Sequence, residues 1–517
     1  MRSTRALLAG LLLLLVLLIA TRGGLPPYDD ALFFTRLARN LYTHGVSAWN
    51  PIEGPVHGST SQLHQLLVAA LYAITPTHTV AAARLVLAGA LWAGVGVLLL
   101  GRRAPLPVVL ALGSPIAIAT VLSGMETALV LLIGCIWLST RRPAATALLG
   151  AVLYLARPDA ALLPAVSLGL SIVSGPNRRQ AALALLAMLS CVAAILGWLH
   201  LSYGSALPLS FYLKTGLSDV YDPAFLARSH QAGLRHLLLF GLTVAPLLLV
   251  CAHDRRSWRL LLPPLAFVAF HASMTVDVMG LHARFYVPCL PWIAHAAAVA
   301  WPAFVARRAP GRIGTLLLVW AVGVVVAYQT SAIPTASGWS IGQLGAVSWA
   351  GFGMAVLAAL LGRGPLQLVG VVLGLGLGVL SGPGPGGLAS DEVYARRLSG
   401  EVTSWRGIEQ LRRCLGEEVH LFHSEIGVPG VLLPEARITD LGGLMSPALA
   451  SGEVGVEALC LDLQPDAIFL PHRNYEALNV QLREGRCLEG YVQVVSRGSS
   501  PLLIRRDRLA SYECGGD

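Results

Sequence analysis

Long apolar runs separated by short polar segments are the feature that most constrains this fold. They lie at about 6–21, 79–100, 105–122, 125–139, 143–156, 159–174, 180–201, 234–251, 258–276, 285–306, 312–330, 343–361 and 365–381. Only 13% of the 517 residues are charged, against about 25% in soluble domains. A membrane-spanning helix needs about 20 predominantly apolar residues. The sequence therefore predicts a mainly α fold, a polytopic helical membrane domain with about thirteen spans.

Arginines between the runs predict the orientation of the chain. Those on the side of Arg2 and Arg5 are Arg102, Arg103, Arg141, Arg142, Arg178, Arg179, Arg255, Arg256, Arg307, Arg308 and Arg363. By the positive-inside rule that side is cytoplasmic, so the N-terminus is predicted to lie inside and the tail outside. The first run resembles a signal peptide, but no small-x-small cleavage site precedes Asp29, which predicts an uncleaved span. The net charge of +9 does not indicate nucleic-acid binding, because the arginines lie in short groups between spans.

The first external loop, residues 22–78, begins with two adjacent carboxylates. Asp29 and Asp30 are followed by Phe33, Leu37 and Leu41 at helical spacing, with the polar side chains off that stripe. This pattern predicts an amphipathic helix along the membrane surface. Residues 61–76 are a short apolar segment that we interpret as a second juxtamembrane helix. The alternative for the acid pair is a helix cap without chemistry.

Charged residues from several segments are predicted to meet at the outer membrane edge. They are Asp29, Asp30, Glu126, Arg157, Asp159, Lys214, Asp277 and Arg284. The predicted bilayer midplane is almost free of charge. This favours one polar site that opens outward, and the alternative is that each residue only snorkels to the interface.

The tail is predicted to be a separate domain. A Gly- and Pro-rich linker at 381–387 divides a membrane domain, 1–382, from a small extracytoplasmic α/β domain, 383–517. Residues 401–415 have a helical pattern, and 419–422, 467–470, 491–495 and 502–505 are typical of short strands. Four cysteines in this domain, Cys414, Cys460, Cys487 and Cys514, allow two disulfides in any of three pairings. Cys135, Cys191, Cys251 and Cys289 are predicted to be apolar fillers in spans.

Metal chemistry is weakly indicated by the sequence. Neither the tail cysteines nor His57 and His64 have the usual ligand spacing. No metal site is therefore predicted and no cofactor is firmly implied, although a divalent cation is left open.

Several short segments form a set of motifs along the chain. In the first loop they are Asp29-Asp30-Ala31, Arg39-Asn40-Leu41, His44-Gly45, Asn50-Pro51 and Gly58-Ser59-Thr60-Ser61. Further along they are Gly124-Met125-Glu126-Thr127-Ala128-Leu129, Arg157-Pro158-Asp159, residues 203–214, residues 277–291 and Ile438-Thr439-Asp440-Leu441-Gly442-Gly443-Leu444. Together these segments resemble the GT-C membrane glycosyltransferases, in particular the bacterial arabinofuranosyltransferase-like branch, which implies a bacterial inner membrane. The sequence departs from the family pattern at His57, where Glu is common, at Ser59 in place of Tyr, and at Gln62 and His64. These departures bear on which sugar and which acceptor are used. The acid pair Asp29-Asp30 matches the family pattern.

The resemblance implies transfer of a sugar, such as arabinofuranose, from a polyprenyl-phosphate donor to a glycan, lipid or protein acceptor of the cell envelope. Asp29 is the expected base and Asp30 orients it or the acceptor, although the two roles could be exchanged. Lys214 and Arg284 are expected to bind the donor phosphate. The remaining candidates for substrate binding are Asp277, Glu126, Arg157, Asp159 and His57, and Arg157 with Asp159 could be only a structural ion pair. The alternative function is a polytopic transporter or lipid flippase, which should instead place ionisable groups near the midplane.

Overall fold

The computed structural model describes residues 28–306 and 389–514, apart from short gaps at 102–104, 115, 118–119, 121–122, 215–222, 275–282, 403–404, 417, 472–474 and 496–500. It is 72% helix with one small sheet, as the mainly α prediction requires. The spans predicted at 6–21, 312–330, 343–361 and 365–381 lie outside the described residues.

The helices of the membrane part follow the predicted apolar runs. Their bounds are Thr79–Gly101, Pro105–Leu112, Thr127–Ser139, Pro143–Ala156, Leu162–Ser174, Arg178–Tyr203, Leu209–Lys214, Pro223–Cys251, Arg255–Leu260, Leu262–Met274 and Leu290–Ala306. Within the described residues, four apolar segments are long enough to cross a membrane: Thr79–Leu98, Arg178–Tyr203, Ser229–Cys251 and Val287–Ala306. The predicted total of thirteen spans is not confirmed.

Small residues allow these helices to pack closely. A Cβ on Gly134 would lie 2.8 Å from the ring of Trp292, and a Cβ on Gly150 would meet the side chain of Met188. Cys135, Cys251 and Cys289 are buried with free thiols. Close approach of helices through small residues is how spans associate where no hydrophobic effect drives them together.

The two juxtamembrane helices of the first loop are present at Asp29–His44, the loop helix, and Gln62–Ile74. The loop helix differs from the prediction on its polar face. Arg36 and Asn40 are only 2% and 1% exposed, respectively, instead of facing water. The reason is that the tail covers this face, as described below.

The tail is built on a five-stranded sheet of order β2-β1-β3-β5-β4. The strands are β1 His420–His423, β2 Arg437–Asp440, β3 Ala467–Phe469, β4 Tyr491–Val495 and β5 Leu502–Arg505. β1 pairs in parallel with β2 and β3, whereas β5 pairs antiparallel with β3 and β4. The prediction included every strand except β2. That strand has four residues, of which Arg437, Thr439 and Asp440 are polar, so it lacks an apolar run.

Helices and two disulfides surround the sheet. The helices are Asp391–Val402, Trp405–Leu415, Gly427–Leu432, Pro447–Ala450, Val456–Leu463, Glu476–Glu484 and Leu509–Tyr512. Of the three pairings that the sequence allowed, the structure has Cys414–Cys514 and Cys460–Cys487. The first bridge ties the helix Trp405–Leu415 to the C-terminal end of the described chain.

The loop helix and the tail share one hydrophobic core. Leu32 and Trp49 belong to the same buried cluster as Val428 and Leu432 of the tail. Arg36 donates hydrogen bonds to the carbonyl oxygens of Trp49, Leu433 and Ala436 and to Oδ1 of Asn50. Because these partners come from both segments, Arg36 joins the tail to the first loop.

A carboxylate of the tail also binds the membrane part. Asp391 accepts hydrogen bonds from the backbone N–H groups of Thr79 and Val80, at 3.1 and 2.9 Å. These N–H groups begin the helix Thr79–Gly101, where a carboxylate is favoured by the helix dipole. The tail therefore contacts both the first loop and the start of a long apolar helix.

Candidate active site

Asp29 is held between the loop helix and the tail. Its two carboxylate oxygens accept hydrogen bonds from the backbone N–H groups of Gly427 and Val428, at 2.9 and 2.8 Å. The residue is 8% exposed, and burial raises the pKa of its carboxyl to about 6, with a smaller contribution from Asp30. Asp29 is consequently ionised at neutral pH, and it is a stronger base than an ordinary aspartate.

Asp30 faces a buried arginine from a distant segment. Its Oδ2 lies 3.8 Å from Nη1 of Arg284, and the guanidinium carbon of Arg284 lies 5.6 Å from the centre of the Tyr28 ring. Arg284 is 4% exposed, and its Nε and Nη1 have no hydrogen-bond partner among the described residues. A buried guanidinium with free N–H groups is suited to bind an anion.

A second charged group also contacts Phe285. Arg157 donates to Asp159 at 2.8 Å, and its Nη1 lies 3.7 Å from Oε1 of Glu126. His271 Nε2 lies 2.7 Å from Asp159 Oδ2. The guanidinium carbons of Arg157 and Arg284 lie 5.1 and 5.4 Å from the centre of the Phe285 ring. Both arginines thus lie close to the same aromatic ring.

A cavity of about 230 Å³ lies next to this ring. Its lining residues are mostly apolar or aromatic, and they are His230, Gly233, Leu234, Leu237, His271, Ala272, Phe285 and Tyr286. An apolar cavity beside buried cations suits a molecule with an anionic end and a hydrocarbon body.

The remaining predicted site residues are placed as follows. His57 is buried, its Nδ1 lies 3.0 Å from the Ser205 carbonyl oxygen, and its ring stacks on Tyr203. Lys214 ends the helix Leu209–Lys214, while its side chain and the whole of Asp277 lie outside the described residues. In the described part of the chain, no three His, Cys, Asp or Glu side chains are grouped so as to hold a metal ion.

Three further residues of this region were not predicted as site residues from the sequence: Glu425, Asp440 and His271. Asp440 accepts hydrogen bonds from the N–H groups of Gly442 and Met445, both at 2.8 Å, and burial raises its pKa to about 7. Burial, with the charges of Asp29, Asp30 and Asp440, raises the pKa of Glu425 well above its ordinary value. Glu425 follows β1, and Asp440 ends the parallel strand β2. A correct prediction of β2 would have placed both at one sheet edge, because carboxyl ends of parallel strands meet there.

Comparison with known proteins supports the fold and not yet the chemistry. No family model and no curated protein matches the sequence. Two crystal structures of ArnT from Cupriavidus metallidurans match with TM-scores of 0.58, bound to undecaprenyl phosphate, and 0.60, in the apo state. Each is 14% identical, and the match covers 96% of this chain and 97% of ArnT. The match shows a shared fold, and it does not support the arabinofuranosyltransferase-like branch. The chain therefore has the fold of ArnT.

Proposed function

We propose that the protein is a membrane glycosyltransferase that uses a polyprenyl-phosphate-linked sugar. The observation that carries this proposal is the approach of Asp30 to Arg284, beside Asp29, in a chain with the fold of ArnT. A base for a hydroxyl group and a cation for a leaving phosphate are the groups that such a transfer needs. The crystal structure of ArnT with undecaprenyl phosphate supports the donor class.

The reaction is a single displacement. The acceptor oxygen attacks the anomeric carbon and forms the new glycosidic bond, while the bond from that carbon to the phosphate oxygen breaks. The electron pair leaves with polyprenyl phosphate, and the hydroxyl proton passes to Asp29. We assign the proton to Asp29 because its pKa of about 6 lies close to neutral pH. Attack opposite the leaving group inverts the anomeric centre.

The donor phosphate binds at the cationic side of the site. Arg284 has free N–H groups for phosphate oxygens, and Asp30 orients its guanidinium. Arg157 also lies beside Phe285, and the cavity next to this ring takes the first part of the prenyl chain. Lys214 supplies a second cation. The phosphate needs no general acid, because it leaves as an anion.

The predicted outward orientation of the site supports the acceptor class. We propose that the protein lies in a bacterial inner membrane with its N-terminus inside, and that the acceptor is a glycan, lipid or protein of the cell envelope. Arabinofuranose is the first sugar to test because of the sequence resemblance of the first loop.

The test is transfer in proteoliposomes that contain radiolabelled polyprenyl-phosphate sugars and a cell-envelope acceptor extract. Wild-type protein should move label to the acceptor, Asp29→Asn should not, and Asp462→Asn, which alters an exposed tail carboxylate, should behave as wild type. Movement of labelled lipid across the bilayer without release of polyprenyl phosphate would replace this proposal with a flippase. Equal transfer by all three proteins would keep the reaction class and refute the role of Asp29.

A further inference from the structure

Glu425 lies in the short segment that connects β1 to the helix Gly427–Leu432. Its backbone N–H donates a 2.9 Å hydrogen bond to Nδ1 of His423. Two and three residues further on, the N–H groups of Gly427 and Val428 bind the Asp29 carboxylate. The backbone on both sides of Glu425 is consequently fixed, and one of these attachments is to the proposed base.

The Glu425 carboxyl lies among the acids of the site. The charges that act on it are those of Asp29, Asp30 and Asp440. Ser424 and Ile426 on either side are only 6% and 3% exposed, whereas Glu425 is half-buried. Among the described residues its carboxylate has no hydrogen-bond or ion-pair partner. This side chain therefore reaches space that a ligand can enter.

A second observation, on Arg284, points to a ligand beside Asp30, one of the acids that act on Glu425. Arg284 is 4% exposed, its Nε and Nη1 have no hydrogen-bond partner among the described residues, and its Nη1 forms an ion pair with Asp30 at 3.8 Å. The site consequently has an acidic side and a cationic side. The donor phosphate is attracted to Arg284 and repelled by the carboxylates. The acidic side is left for an uncharged molecule with hydroxyl groups.

We infer that Glu425 of the tail binds the acceptor, and that the acceptor is a polyhydroxylated molecule such as a sugar residue. This inference rests on the proposed function. One acceptor hydroxyl faces Asp29 and reacts, and a neighbouring hydroxyl hydrogen-bonds to the Glu425 carboxyl. A carboxyl group accepts hydrogen bonds from hydroxyl groups when it is ionised and can also donate one when it is protonated. The tail thus contributes a group to the proposed active site in addition to its contacts with the first loop.

The test separates acceptor binding from donor binding by steady-state kinetics in proteoliposomes. Glu425→Gln should raise the KM for the acceptor by about tenfold to a hundredfold, since a hydrogen bond involving a carboxyl group is weakened. The donor KM should stay within about threefold, because no donor contact is removed. The matched control is Glu453→Gln, which alters an exposed glutamate of the same domain and should leave both constants unchanged.

Each outcome has a distinct meaning. An unchanged acceptor KM in a Glu425→Gln protein that transfers sugar overturns the inference and leaves the proposed function intact. Wild-type protein that transfers no sugar overturns the proposed function first. Thermal unfolding of Glu425→Gln should match or exceed that of wild type, because the substitution removes a charge from among three acids. If this variant does not fold, the acceptor KM of Glu425→Asp decides, and a rise without a change in donor KM supports the inference.

Discussion

A carboxylate of the first loop and a glycine of the tail are in contact across 398 residues of sequence: Gly427 donates its N–H to Oδ2 of Asp29. The contact leaves no room for a side chain at position 427. A Cβ there would lie 2.6 Å from Asp29 Oδ1 and closer still to the Asp29 backbone oxygen. The proposed base is therefore positioned by backbone atoms of a segment that the chain reaches only near its other end.

Gly427→Ala should impair both the packing of the tail against the first loop and the transfer of sugar. We expect overpacking of about 1–3 kcal/mol, seen as a lower melting temperature in detergent, together with a lower kcat. Gly455→Ala is the control, because a Cβ at that position meets no atom within 4 Å. A Gly427→Ala protein with wild-type melting temperature and kcat would show that this close approach is unimportant.

The pH dependence of transfer should report Asp29. A base works in its deprotonated form, so kcat/KM should fall as the pH drops through about 6, the raised pKa of this carboxyl. Asp29→Asn should lower transfer by about 100-fold to 10,000-fold and remove this inflection. Asp440→Asn should keep the inflection near 6, although Asp440 is itself raised to about 7. A profile of the wild type that is flat between pH 5 and about 7 would contradict the assignment of the base.

Replacement of Arg284 should affect the kinetic constants for the donor and not the KM for the acceptor. Arg284→Gln should lower kcat/KM for the polyprenyl-phosphate sugar by about a hundredfold, because a charge-assisted contact to the leaving phosphate is lost. The kcat/KM of Arg284→Lys should lie between those of wild type and Arg284→Gln, because lysine keeps the positive charge but lacks the planar guanidinium group. Arg39→Gln is the control, as Arg39 pairs with Glu435 of the tail and has no proposed contact with substrate. An acceptor KM that rises as much as the donor KM would count against a phosphate-binding role.

Arg36 should stabilise the attachment of the tail. Arg36→Met would leave the buried carbonyl oxygens of Trp49, Leu433 and Ala436 without this donor, which should cost about 3 kcal/mol or more. The melting temperature should fall accordingly. Arg39→Met removes a more exposed ion pair of the same helix and should change stability by less than about 1 kcal/mol. Equal decreases in melting temperature for the two variants would show that the burial of Arg36 does not determine its contribution to stability.

Local pattern in the sequence predicted the elements of this fold. Apolar runs gave the helices of the membrane part, and alternation gave strands β3, β4 and β5 with bounds within a residue or so. These signals are local, because hydropathy and side-chain period depend on neighbouring residues. The same reading found Asp29, Asp30 and Arg284 as candidates, and the structure brings these three together.

Only the tertiary structure decided what surrounds them. The sequence placed Arg36 on a solvated helix face, left the cysteine pairing open and did not include Glu425 among the candidates. Burial of Arg36, the pairing Cys414–Cys514 and the position of Glu425 each depend on the tail folding back onto the first loop or onto itself. Contacts between residues hundreds of positions apart leave no periodic trace in either segment, and they arise from packing that the local sequence does not encode.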